Sequence, residues 1–195
     1  ETALTGLASA YDAQGDLAQA EATYRNAVEL KQDYWGGCYH LGLFYYNHNR
    51  YKEAIPQFER MVELTPASAR AYNNLGGTYM QLEQWQKARE MRQRSLQFQL
   101  DADVSDNLAT VLFYEGKYAE ALAVFDDALK LDDKNYERWG NLGSGYLWIH
   151  DSINAEESYR KAIQLAEGRL KGNPRDRELM ADLSGYYGML GERAE

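Results

Sequence analysis

A side-chain amide carries both a donor and an acceptor, so an asparagine can pair with the backbone amide of an extended peptide without reading that peptide's sequence. Asn74, Asn107 and Asn141 fall 33 and 34 residues apart, and the same column continues through Gly6 and His40 upstream and Asp182 downstream. The groups that acid–base, nucleophilic or metal chemistry needs do not converge in this way. His40, His48 and His150 occupy different positions of the repeating pattern, no two at metal-ligand spacing. Cys38, the one cysteine, stands in a slot that Tyr72 and Trp139 fill elsewhere and reads as a small core side chain. Asn74-Leu75-Gly76-Gly77 reads as helix and not as a phosphate loop, and the pairs Asp126-Asp127 and Asp132-Asp133 read as solvated surface. The expectation is a chain with no catalytic centre, no metal and no cofactor.

The elements that must position the asparagines follow from the spacing of small residues. Ala20, Ala54, Ala88, Ala121 and Ala155 are 34, 34, 33 and 34 residues apart, each 13 residues after Leu7, Leu41, Leu75, Leu108 and Leu142. Each leucine precedes a small residue and, one turn on, Tyr11, Tyr45, Tyr79, Leu112 or Tyr146. Tyr72, Leu75, Gly76 and Tyr79 keep the i, i+3, i+4, i+7 stripe of an amphipathic helix, and Tyr51, Ala54, Phe58 and Met61 a similar one. Each period is therefore two helices, with small residues where they cross. Gly15, Asn49, Gly116 and His150 mark the turns between them. Tyr24, Phe58, Phe125 and Tyr159 fill the second-helix packing slot, whereas the third period has Arg92 there, with Met91 expected to pack in its place.

The pattern YHLGLFYY…YKEAIPQFERMVELTP (Tyr39 to Pro66) and YNNLGGTYM…WQKA (Tyr72 to Ala88) resembles the tetratricopeptide repeat, which has the same 34-residue period. The resemblance implies an all-α, right-handed αα superhelix of five repeats plus a terminal helix. The repeats fall at 1–34, 35–68, 69–101, 102–135 and 136–176, the last with a seven-residue extension of its second helix, and 177–195 is a partial repeat or capping helix. A small register change is expected near Asp101 to Ser105.

In that family the first helices line a concave groove, which turns the column His40, Asn74, Asn107, Asn141 and Asp182 towards it. The three asparagines look like the asparagine ladder of the O-linked N-acetylglucosamine transferase superhelix, where such residues hold peptide backbone. The carboxylate clamp of chaperone adaptors is not matched, because Arg70 is the one cation among the corresponding first-helix slots. Tyr39, Tyr46, Tyr114 and Trp148 are aromatic groove candidates. Asp103, Asp106, Glu137, Glu178 and Asp182 favour a neutral or basic segment, and Lys87, Arg89, Arg92 and Arg94 read as a basic patch outside the groove. The peptide-binding set is thus Asn74, Asn107, Asn141, His40, Tyr39, Arg70, Tyr114, Trp148 and Asp182.

A formal charge of −9 over 195 residues works against nucleic acid and anionic membrane surfaces. No apolar run reaches the roughly 20 residues of a membrane helix. The expected role is a scaffold that binds an extended protein segment. The alternatives are an accessory or sensory region of a larger bacterial signalling protein, such as a receptor-like kinase or membrane-bound transcription regulator, and a self-associating homo-oligomer formed through Tyr186 and Tyr187. The start at Glu1 reads as a piece excised from a longer protein; the cytoplasm is the favoured compartment, the periplasm if the parent spans a membrane.

Overall fold

The computed structural model describes residues 2–191, so the last four residues of the partial repeat lie outside the described residues. They form eleven α-helices: α1 (Thr2–Ala13), α2 (Leu17–Leu30), α3 (Trp35–Asn47), α4 (Tyr51–Leu64), α5 (Ala69–Gln81), α6 (Trp85–Phe98), α7 (Ala102–Tyr114), α8 (Tyr118–Leu131), α9 (Tyr136–Trp148), α10 (Ser152–Leu170) and α11 (Arg177–Met189). The helices fall into two compact units, unit 1 with α1–α6 up to Gln99 and unit 2 with α7–α11 from Leu100. Within each unit every helix packs on the next in sequence.

Helix starts are set by short polar side chains. Asp16, Ser68, Asp101, Asn135, Asp151 and Asp176 each accept from a backbone N–H two or three residues on, satisfying a donor the helix leaves open. Each odd-numbered helix from α1 to α9 stops at a residue in the left-handed region: Gly15 (φ 81°), Asn49 (59°), Glu83 (56°), Gly116 (76°) and His150 (62°). The next N–H then reaches back five residues, from Asp16 to Tyr11, Arg50 to Tyr45, Gln84 to Tyr79, Lys117 to Leu112 and Asp151 to Tyr146, at 2.8–3.0 Å. Glu83 is the turn that composition does not mark.

The cores are seams. The repeating alanines are fully buried, and Phe58 and Tyr159 lie over Gly42 and Gly143, where an added Cβ would meet their rings at 2.6 and 3.1 Å. Leu7 departs from its column: 46% exposed, it lies on α1, which has α2 as its principal neighbour. In unit 1, Glu21 accepts from Arg25 (2.9 Å), Tyr45 Oη (2.8 Å) and Arg50 (2.5 Å). The Arg50 hydrogen bond, followed by those from Tyr45 and Arg25, holds the Glu21 carboxyl at about 2.

Two expectations are corrected, and the two tyrosines near the end of α11 are placed. Arg92 itself, and not Met91, fills the buried packing slot, so it does not belong to an outer basic patch. Its methylene stem lies over Gly76, as Phe58 does over Gly42. Tyr186 packs into unit 2 beside Gly140, Tyr136 and Tyr159, and Tyr187 Oη donates to Glu167 at 2.6 Å, so both rings have partners on α9 and α10. Asp103, Asp106 and Asp132 are all ion-paired to one arginine, Asp106 largely buried and Asp103 and Asp132 still reached by solvent.

Candidate functional site

In unit 2 the first-helix residues Tyr114 and Trp148 occupy equivalent positions at the ends of α7 and α9, and both are 65% exposed. They line an open cavity of about 400 Å³ together with Asn141, Phe113, Tyr118 and Ser144. Trp148 is held in place, with its ring stacked on Tyr118 (6.3 Å, 16°) and meeting Phe113 edge-on at 6.0 Å. Fixed aromatic rings with one exposed face suit an apolar side chain, while the Asn141 amide beside them can pair with backbone.

The sequence missed Phe113, Tyr118 and Gly145 as lining residues. A periodic signal existed for Tyr118: it opens its repeat's second helix, as Leu17, Tyr51 and Trp85 open theirs. Gly145 is required by packing, since a Cβ there would come 2.9 Å from Leu122.

Asn107, on α7, donates from Nδ2 to Asp103 O at 2.8 Å, a bond within its own helix. Asp182, on α11, accepts from Tyr136 Oη at 2.9 Å. Neither lines the cavity. Beside them is a residue sequence reasoning passed over, Arg138, 1% exposed. Its three guanidinium nitrogens meet Asp106 (2.6 Å), Asp103 (2.7 Å) and Asp132 (2.9 Å), and Asp132 O takes a fourth bond. Burial works against the Arg138 charge, but the bonds from Asp106 and Asp132 outweigh it, and its pKa rises. Burial pushes Asp106 up to about 6 against the pull of Arg138. Of the five acidic residues expected to favour a basic partner, Asp103 and Asp106 are thus paired with an internal cation.

In unit 1, Tyr39 meets Trp35 and His40 edge-on at 5.9 and 5.1 Å, and the Arg70 guanidinium lies 5.7 Å from the Tyr39 ring centre. Arg70 also lines an open cleft of about 480 Å³ with Trp35, Thr65 and Phe98. Asn74 is half-buried on α5 with its Nδ2 sealed from solvent and unpartnered. The structure therefore groups Tyr39, His40 and Arg70 in unit 1 and Tyr114, Asn141 and Trp148 in unit 2. Among the described residues, no cluster of His, Cys, Asp and Glu could hold a metal ion, and no helix is long and apolar enough to cross a membrane.

A sequence profile of tetratricopeptide repeats matches residues 5–69, and a second matches residues 67–134. Among curated proteins, BBSome complex member BBS4 of Xenopus tropicalis is 38% identical over 69 residues, 34% of this chain but only 13% of that protein's length. Among solved structures, MamA superposes with a TM-score of 0.78 at 21% identity, covering 84% of this chain and 96% of MamA. MamA 41-end from Desulfovibrio magneticus RS-1 gives 0.78 at 16% identity over 86% and 95%. YrrB, described as a TPR protein with an unusual peptide-binding site, gives 0.70 at 25% identity over 90% and 87%. The MamA likeness shows the fold alone. Tetratricopeptide repeats are protein-interaction modules and typically carry no catalytic chemistry.

Proposed function

We propose that this chain, which belongs to the tetratricopeptide repeat family, is a scaffold that binds an extended partner segment, with unit 2 seating one of its apolar side chains. The observation that carries the reading is the cavity of about 400 Å³ in which Tyr114 and Trp148 stand exposed beside Asn141. Side chains fixed in place before binding lose little conformational freedom on contact, which favours aromatic anchors. The Asn141 amide takes one backbone group of the segment, and Asn107 joins it by giving up its intrahelical bond. A peptide partner is also supported by the description of YrrB, and a protein partner by that of the BBSome member.

The test is a peptide-array selection followed by calorimetry. Trp148→Ala should weaken the selected peptides about tenfold or more, as expected of a central aromatic anchor. Replacing Asn74, Asn107 and Asn141 together by alanine should weaken binding without loss of helicity. Unchanged affinity in that triple variant removes the asparagines from the reading, and unchanged affinity in Trp148→Ala removes the cavity.

A further inference from the structure

The second-helix slot of the third repeat holds a cation where the other four repeats hold an aromatic ring. Arg92 is 5% exposed, and burial drives its guanidinium down to about 10. Unlike Arg138, it has no carboxylate in ion-pair reach among the described residues. Its Nη1 donates to Asn73 Oδ1, a neutral acceptor, and its Nε is buried with no partner. An unneutralised cation within a helix seam is an unfavourable arrangement unless a counter-charge arrives from outside.

The geometry shows where such a charge would enter. The Arg92 stem crosses Gly76 and its Nη2 ends at Gly77, where a Cβ would stand 3.3 Å from Nη2 and 3.9 Å from Tyr46 Oη. Both atoms therefore face the space that a side chain at 77 would fill, and they are no more than 7.2 Å apart. Tyr46 Oη accepts from Gln81 Nε2 at 3.3 Å, which leaves its own proton free to donate. A carboxylate hydrogen-bonded at both oxygens can bridge two donors up to roughly 7 Å apart, so the upper limit on this separation admits one. Asn74 Nδ2 is a further donor in the same stretch of α5, buried and without an acceptor. All these groups belong to unit 1, and all that lack a partner are donors.

We propose that unit 1 carries a carboxylate-binding site at Arg92, entered over Gly77 and completed by Tyr46, which takes a carboxylate of a bound partner segment. The cation comes from a second helix and reaches through the seam, so the absence of Lys and Arg from the first-helix slots does not bear on it. The neutral-to-basic preference drawn from the acidic residues concerns unit 2, where Asp103 and Asp106 lie. This site does not depend on the peptide seat there, and Trp148→Ala should leave it unchanged.

The experiment is an NMR titration of the 15N-labelled chain at constant ionic strength, read at the backbone amides of residues 73–81 and at the Arg92 side chain. The probes are sodium acetate, Ac-Ala-Glu-Ala-NH2 with only a side-chain carboxylate, Ac-Ala-Gln-Ala with only a terminal one, inorganic phosphate, and chloride as control. Saturable shifts with acetate and at least one peptide are expected, and the peptide that saturates identifies the source of the carboxylate. Arg92→Phe, which places in the slot the residue found at Phe58 and Phe125, should stay folded and abolish the shifts. Gly77→Ala keeps the cation but narrows its entry, and should weaken binding severalfold. The proposal is overturned if no carboxylate probe saturates, if only phosphate does, or if either Arg92→Phe or Gly77→Ala titrates like the parent.

Discussion

Unit 1 and unit 2 each bury one arginine, and the two differ in what surrounds the charge. Arg138 is enclosed by Asp103, Asp106 and Asp132, whereas Arg92 meets only the side-chain amide of Asn73. Exposure alone would rank them together, at 1% and 5%. The comparison teaches that burial of a charge says little until its partners are counted. Arg138 ties α9 to α7 and to the turn before α9, and its loss would leave carboxylates without a cation. The loss of Arg92 would leave no opposite charge behind.

The contrast is broken or sharpened by four measurements. The largest effect is expected from Arg138→Met, which should cost unit 2 about 3 kcal/mol, the scale for a buried pair deprived of one partner. Urea denaturation followed by amide exchange in α7–α9 reads this, and a loss below about 1 kcal/mol would make the two arginines alike.

Acid comes next, because Glu21 shows that unit 1 can neutralise its arginines where carboxylates are at hand. Its carboxyl titrates at about 2 in the folded chain against an ordinary 4.5. As pH falls, the unfolded chain takes up the proton first. The contribution is therefore complete above about 4.5 and is lost as pH falls towards 2, roughly 1–2 kcal/mol after allowing for solvent screening. Glu21→Gln should flatten that part of the stability profile of unit 1.

Arg92→Phe should have the opposite sign to Arg138→Met, leaving unit 1 as stable as the parent or up to about 1 kcal/mol more so, since a well-packed ring replaces an unpaired charge. A loss of several kcal/mol in thermal unfolding would mean that Arg92 is a structural residue. The smallest effect lies in the turn of the same repeat. Glu83 sits at φ 56°, a conformation that glycine enters without steric penalty, so Glu83→Gly should gain about 0.5–1 kcal/mol. No gain would show that the departures of the third repeat do not include backbone strain.

Helix pairs and their seams were legible in the sequence because the recurring Ala, Leu, Gly and Tyr columns each answer one packing demand repeated along the chain. Turn chemistry was legible where the residue announces it, as at Gly15 and Gly116, and invisible at Glu83, where the five-residue back-bond from Gln84 to Tyr79 holds an unfavoured residue in place. At the site, Tyr114 and Trp148 could be named because they sit at one position of successive first helices, and Asn141 because it shares a column with Asn74 and Asn107. Phe113 and Tyr118 were lost because one lies beside those positions and the other opens a second helix. Arg138 and its carboxylates could not be read, since Asp103, Asp106 and Asp132 belong to two separate stretches that only folding brings to one guanidinium. Arg92 was visible as a departure and misread, because a cation in an apolar slot is ordinarily expected to turn outward.

The recurring left-handed turns have a kinetic consequence. Each joins two helices across about three residues, so the contacts of a helix pair lie between residues close in sequence, and chains dominated by such contacts fold in microseconds to milliseconds. The rate of each closure then depends on how readily its turn residue visits positive φ. Gly15 and Gly116 visit it freely, and each opens the first helix pair of its unit; Glu83, in the last pair of unit 1, does so rarely. Folding of each unit should therefore start from its N-terminal pair, with α5 and α6 the last in unit 1 to close.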